Sequence, residues 1–153
     1  MARLLIVLIV ALVAFPATAG AGPLFAADRG PCFASGNVGY RFTNNSRADF
    51  TIRIEADAKS PDITVQLVDD AAEADFVLVE DGETADGCDG ATAIRTIHVD
   101  AKASEPDLTI SLSQHAAPYK IYASSREFSA QHAAALFAVM WKTTGKRSLA
   151  QRR

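Results

Sequence analysis

The chain has 153 residues, 49% hydrophobic and 22% charged, with a formal net charge of −3, a length that suits one compact domain and is short for two. Residues 20–141 carry eighteen acidic against nine basic side chains, while 142–153 carries five basic residues and no acid. An acidic body repels phosphate and lacks the basic face with interleaved aromatics that nucleic-acid binding needs, so no nucleic-acid partner is expected.

The N-terminus reads as an export signal. Arg3 supplies a positive start, residues 4–15 an apolar run of twelve, and Ala17-Thr18-Ala19 the small residues a signal peptidase reads, which predicts cleavage before Gly20 and a signal peptide over 1–19. The run falls short of the roughly 20 residues of a bilayer span and ends at Pro16, which argues against a retained anchor. Arg29-Gly30-Pro31 ahead of Cys32 does not fit a lipoprotein signal. Export places the mature chain in the periplasm or outside the cell, so the two cysteines, Cys32 and Cys88, are expected to form a disulfide. The chain-entropy estimate for so long a loop is on the order of 4 kcal/mol.

Residues 20–36 are rich in Gly, Pro and Ala without periodicity and read as a flexible linker ordered where Cys32 pins it. Residues 37–145 are expected to form a single α+β domain with an internal duplication. The segment 56–67, ADAKSPDITVQL, returns as 101–112, AKASEPDLTISL, with six of twelve positions identical. In the first copy Phe50, Ile52 and Ile54 alternate inward, then Ile63, Val65 and Leu67, and the run 75–80 (DFVLVE) offers both faces as a central strand would. In the second copy Ile97 and Val99, then Leu108, Ile110 and Leu112, then Tyr119 and Ile121 point inward. Pro61-Asp62 and Pro106-Asp107 mark the starts of the two middle strands, where a missing donor is tolerated. The intervals between runs are too brief for crossover helices, which predicts antiparallel neighbours.

From residue 129 the period becomes helical, with Ala133, Leu136, Phe137, Met140 and Trp141 on one stripe, Ser129 as N-cap, Phe128 as staple and Gly145 after the last turn. Trp141 is expected in the core. The fold expected is α+β: a small, mostly antiparallel sheet of two similar three-strand units, about 50–80 and 94–124, covered by a C-terminal amphipathic helix at about 130–143. Residues 146–153 are expected to form a basic disordered tail. Membrane contact is expected only through an uncleaved signal or through that tail.

No catalytic signature is present: the chain lacks G-x-S-x-G, S-x-x-K and H-E-x-x-H. His98, His115 and His132 stand apart, without zinc-ligand spacing. Ser129 and His132 are one helical turn apart but no third group is visible to orient the imidazole, which leaves a weak-signature hydrolase as one alternative. A second alternative is a calcium or small-ligand site in the acidic loop from Glu80 to Asp89, with Asp81, Glu83, Asp86 and Asp89 as candidate oxygens, although the spacing does not match an EF-hand. No cofactor is expected. The leading expectation is a small exported, non-catalytic protein that meets a protein partner in the cell envelope through a sheet edge or an exposed sheet face, with Tyr122 as a candidate aromatic contact.

Overall fold

Eight strands hydrogen-bond into one sheet: β1 (Cys32–Ser35), β2 (Val38–Phe42), β3 (Phe50–Ala56), β4 (Ile63–Leu67), β5 (Phe76–Val79), β6 (Ala93–Val99), β7 (Leu108–Ser113) and β8 (Tyr119–Ser124). A single helix, α1 (Ala130–Thr144), follows them, and a 3-10 turn, Ala71–Glu73, lies between β4 and β5. The computed structural model describes residues 30–79 and 87–145. The expected signal peptide and basic tail lie outside these residues.

The fold is α+β, but the sheet is larger than expected and is mixed rather than mostly antiparallel. Its order is β1-β2-β6-β3-β7-β4-β8-β5. β1 and β2 pair antiparallel across a two-residue turn in which Gly36 has φ 62°, the positive value that a hairpin of this length needs at its first central position. Every other neighbouring pair is parallel. The two three-strand units therefore do not lie side by side. They interleave, so that β3, β4 and β5 alternate with β6, β7 and β8.

Short connections suffice for parallel pairing because the strands are staggered. Phe42 ends β2 and Phe50 begins β3, and both sit beside Ile97 of the strand between them. Val99 ends β6 and Leu108 begins β7, and both sit beside Ile52. Leu67 ends β4 and Phe76 begins β5, and both sit beside Ile121. The chain thus sidesteps one strand without running back along the sheet, and the long return that a crossover helix normally provides is not needed. The crossing segments contact the face opposite the helix: Arg53 donates to the Ala103 carbonyl at 3.1 Å, and Lys120 pairs with Glu73 at 3.4 Å. Thr109 and Ser111 of the central strand β7 are buried on that face, so both faces of the sheet are covered at its middle.

The sheet coils around the helix. Eight residue steps link Val79 to Gly87, a reach of at most about 29 Å, and Gly87 lies against the Cys32 carbonyl. Seven strand spacings separate β5 from β1, roughly 34 Å if flat, before any stagger is added. Curvature brings the two ends nearer than a flat sheet would allow. It also encloses α1, whose residues 133–139 are all at most 2% exposed. Seven successive residues at 100° each cover every side of a helix, so the expected single stripe is replaced by an all-round buried segment. Ala133, Ala134, Ala135 and Ala138 let the wall approach, while Leu136, Phe137 and Val139 fill the space against Ile52, Ile97, Ile110 and Ile121. Ser129 caps the helix and Gly145, with φ 74°, ends it, as expected. Trp141 is half-buried against this core and donates its indole N–H to the Tyr119 hydroxyl at 3.1 Å.

Candidate functional site

The cysteines are joined: Cys32 of β1 bonds to Cys88, with Cα atoms 5.6 Å apart. The bond pins the segment leading into β6 onto the β1–β2 hairpin, where Thr92 and Ala93 donate their N–H groups to the Asn37 carbonyl. Gly39 of β2 lies beneath it, and a Cβ there would sit 2.6 Å from both Cys88 Sγ and Ile94 Cδ1.

Each histidine has a structural engagement or none near reactive groups. His98 Nδ1 meets the Thr43 carbonyl at 3.0 Å, where the β2–β3 connection crosses β6. The backbone N–H of His115 donates to the Ser113 hydroxyl, and its side chain is exposed. His132 forms a capping box with Ser129: the Ser129 hydroxyl accepts the His132 N–H at 3.2 Å, and His132 Nδ1 accepts the Ser129 N–H at 3.3 Å. The ring therefore touches the serine's backbone nitrogen and not its Oγ, which is not the arrangement of a base and its nucleophile. That hydrogen bond places the ring proton on Nε2. The imidazole stacks on Phe42 at 4.3 Å and lines a shallow pocket of about 240 Å³ with Pro31, Thr43, Asn44 and Val99. Burial pushes its pKa below the ordinary histidine value.

Of the calcium candidates, Asp81, Glu83 and Asp86 fall outside the described residues. Asp89 is exposed in a turn closed by the Ala91 N–H to the Cys88 carbonyl, in which Gly90 has φ 87°. Among the described residues no three His, Cys, Asp or Glu side chains gather as metal ligands, and no helix is long and apolar enough to cross a membrane.

Four carboxylates stand immediately before strands and close the ladder there. Asp62 donates its N–H to the Thr109 carbonyl at 2.9 Å and accepts the Thr109 N–H at 2.7 Å. Asp107 does the same to Thr51, at 2.8 Å both ways, and Asp75 to Lys120, at 2.8 and 3.0 Å. Asp49 varies the pattern, giving its N–H to the Thr96 hydroxyl and accepting the Thr96 N–H at 2.7 Å. The Thr96 N–H is the main cause of the Asp49 carboxyl's depressed pKa, with further help from the Thr96 hydroxyl and Arg95. Each aspartate replaces a ladder carbonyl where a strand begins and ties a strand of one unit to a strand of the other. Their chemistry is occupied by the fold.

What the fold leaves unused is an edge. β5 stands at the end of the sheet, hydrogen-bonded on one side to β8, and no described strand pairs its other side. The run was expected as a central or well-covered strand, and β5 is neither. Phe76 and Leu78 face the core, and Leu78 is 1% exposed. Val77 and Val79, on the opposite face, are 45% and 59% exposed. Tyr122, expected as an outward aromatic, is half-buried beside Val77. The exposure of this edge was missed in the sequence because two apolar faces read equally well as a strand with neighbours on both sides. Family models give no match to the chain, and no curated protein matches it.

Proposed function

We propose that the chain is an exported, non-catalytic contact module of the cell envelope that presents the β5 edge to a protein partner. The observation that supports this reading is the pair of exposed valines, Val77 and Val79, on a strand whose outer side no described strand covers. An unpaired strand edge offers backbone donors and acceptors together with side-chain contacts at every second position, which is how sheet edges recognise extended segments. The disulfide suits an oxidising compartment. The histidines engaged by backbone groups and the strand-leading aspartates engaged in the ladder leave less side-chain chemistry for a reaction than for contact.

In-cell photo-crosslinking tests the reading. A photoreactive residue at position 79 is expected to yield a discrete adduct with one envelope protein, whereas the same residue at exposed Lys102, far along the sheet order, yields none. No adduct at 79, or equal adducts at both sites, would discard it. Intact mass of the exported protein, with and without reductant, checks cleavage before Gly20 together with the disulfide.

A further inference from the structure

We propose that the shallow pocket beside His132 binds a small monocarboxylate with a compact apolar or aromatic body. The pocket is built by the end of β2, the end of β6 and the first turn of α1, far from β5 in the sheet order. This site is therefore additional to the contact edge and independent of it.

The imidazole is fixed before any ligand arrives. Its Nδ1 accepts the Ser129 N–H at 3.3 Å, its face lies against Phe42 with centroids 4.3 Å apart, and Phe128 meets it edge-on at 6.4 Å. The ring proton on Nε2 is then a donor in a set position, and no described residue accepts it. Asn44 also lines the pocket, and among the described residues its side-chain amide has no partner. Thr43 is otherwise engaged: its hydroxyl accepts the Asn45 N–H and its carbonyl meets His98. Pro31, Phe42 and Val99 make the apolar wall. The Phe42 N–H holds the Pro31 carbonyl at 3.0 Å, and Gly30 lies so near the Phe42 carbonyl that a side chain there would overlap it.

Two donors beside an apolar wall select an acceptor carried on an apolar body. The charge of that acceptor follows from the surroundings. No residue lining the pocket is acidic, although acids outnumber bases in the body of the chain, and His132 lies in the first helical turn, where negative charge is favoured. Burial alone lowers the pKa of the ring, with no charged group acting on it. A pocket of about 240 Å³ is smaller than the roughly 300–1,000 Å³ of sites for drug-sized ligands, which limits the body to a single ring or a short branched chain.

NMR of the oxidised mature protein tests this, with benzoate as the probe and benzamide and benzyl alcohol as its neutral counterparts. Benzoate is expected to shift the His132 ring and Asn44 amide resonances with a dissociation constant that is roughly millimolar or tighter, and the neutral probes should bind about tenfold more weakly. A bound carboxylate favours the imidazolium, so saturating benzoate should raise the His132 pKa, and affinity should rise as pH falls from about 7.5 to about 5.5. His132→Glu keeps an acceptor for the capping box but replaces the donor with a like charge, so the helix is retained and benzoate binding is lost. Asn44→Ala, at an exposed position, should weaken binding severalfold and leave the melting temperature unchanged. Benzoate shifts absent from His132 and Asn44, equal binding of benzamide, or binding unmoved by the two variants would overturn the proposal.

Discussion

Asp62 and Thr109 exchange two hydrogen bonds, the backbone N–H of each reaching an oxygen of the other, at 2.9 Å to the Thr109 carbonyl and 2.7 Å to the Asp62 carboxylate. The carboxylate stands in for the carbonyl that a continuous ladder would offer, so its removal leaves a half-buried N–H without a partner. Asp62→Ala is expected to destabilise the fold by about 1–2 kcal/mol, and Asp62→Asn, which keeps an acceptor, by clearly less. The equivalent bonds between Asp107 and Thr51 lie on the other side of β7, and the same ranking is expected for Asp107→Ala and Asp107→Asn. Urea denaturation of the four variants checks this, and equal losses for Ala and Asn would mean that the acceptor is not what matters.

Protonation of His132 costs the folded state a hydrogen bond, because Nδ1 can no longer accept the Ser129 N–H, and it puts a positive charge at a helix N-terminus. The folded protein holds the histidine below its ordinary value of 6.5, so the unfolded chain binds more protons in the window beneath 6.5. Stability is therefore complete above about pH 6.5 and is lost as pH falls toward the folded value. The contribution of Asp49, whose carboxyl is held below 3.8, is lost only at still lower pH. Unfolding free energies measured from pH 7.5 to 4.5 should show the first decline, and His132→Gln, which retains a capping-box acceptor without titrating, should flatten it.

Gly39 is confined by the disulfide above it. A methyl group at this position meets Cys88 Sγ and Ile94 Cδ1, both at 2.6 Å, and the sulfur is held by its bond to Cys32. Gly39→Ala is expected to cost about 1–3 kcal/mol by overpacking. In the Cys32→Ala, Cys88→Ala background the added penalty should shrink, although that background itself loses about 4 kcal/mol of loop constraint in the chain-entropy estimate. A double-mutant cycle by thermal unfolding measures the coupling.

The helix is enclosed, and enlarging its small residues should be felt on every side. Ala134 and Ala138 are fully buried, so Ala134→Leu or Ala138→Leu is expected to destabilise by about 1–3 kcal/mol. Exposed Gln131 on the first turn should accept leucine within about 0.5 kcal/mol. A helix lying on an open sheet by the stripe of Ala133, Leu136, Phe137 and Met140 would instead tolerate leucine at position 138, which is on the far side of the helix from that stripe. Melting temperatures of the three variants decide between the two arrangements.

On the proposed contact edge, Val77 and Val79 were visible as apolar and strand-forming, yet their exposure was not, because the run Phe76–Val79 has the same pattern whether a neighbour lies on one side or both. The aspartates were more legible than they first looked. Asp49, Asp62 and Asp75 are thirteen residues apart, each between Ala or Pro and a large apolar residue, and Asp107 repeats the pattern. That spacing marks one strand and one sidestep per period.

Local chemistry was determined by the sequence itself. Alternation of apolar residues set the strands, Ser129 and Gly145 set the ends of the helix, and two cysteines in a chain expected to be exported predicted their bond. Strand order, direction and exposure belong to the tertiary structure alone. Period-2 alternation specifies which side chains share a face but not which strand lies alongside, and a short loop allows a hairpin or, when strands are staggered, a sidestep to a parallel neighbour. The stagger that places Phe42 and Phe50 beside one Ile97 is a property of all the strands together, and so is the coil that encloses 133–139 and leaves β5 at the end of the sheet.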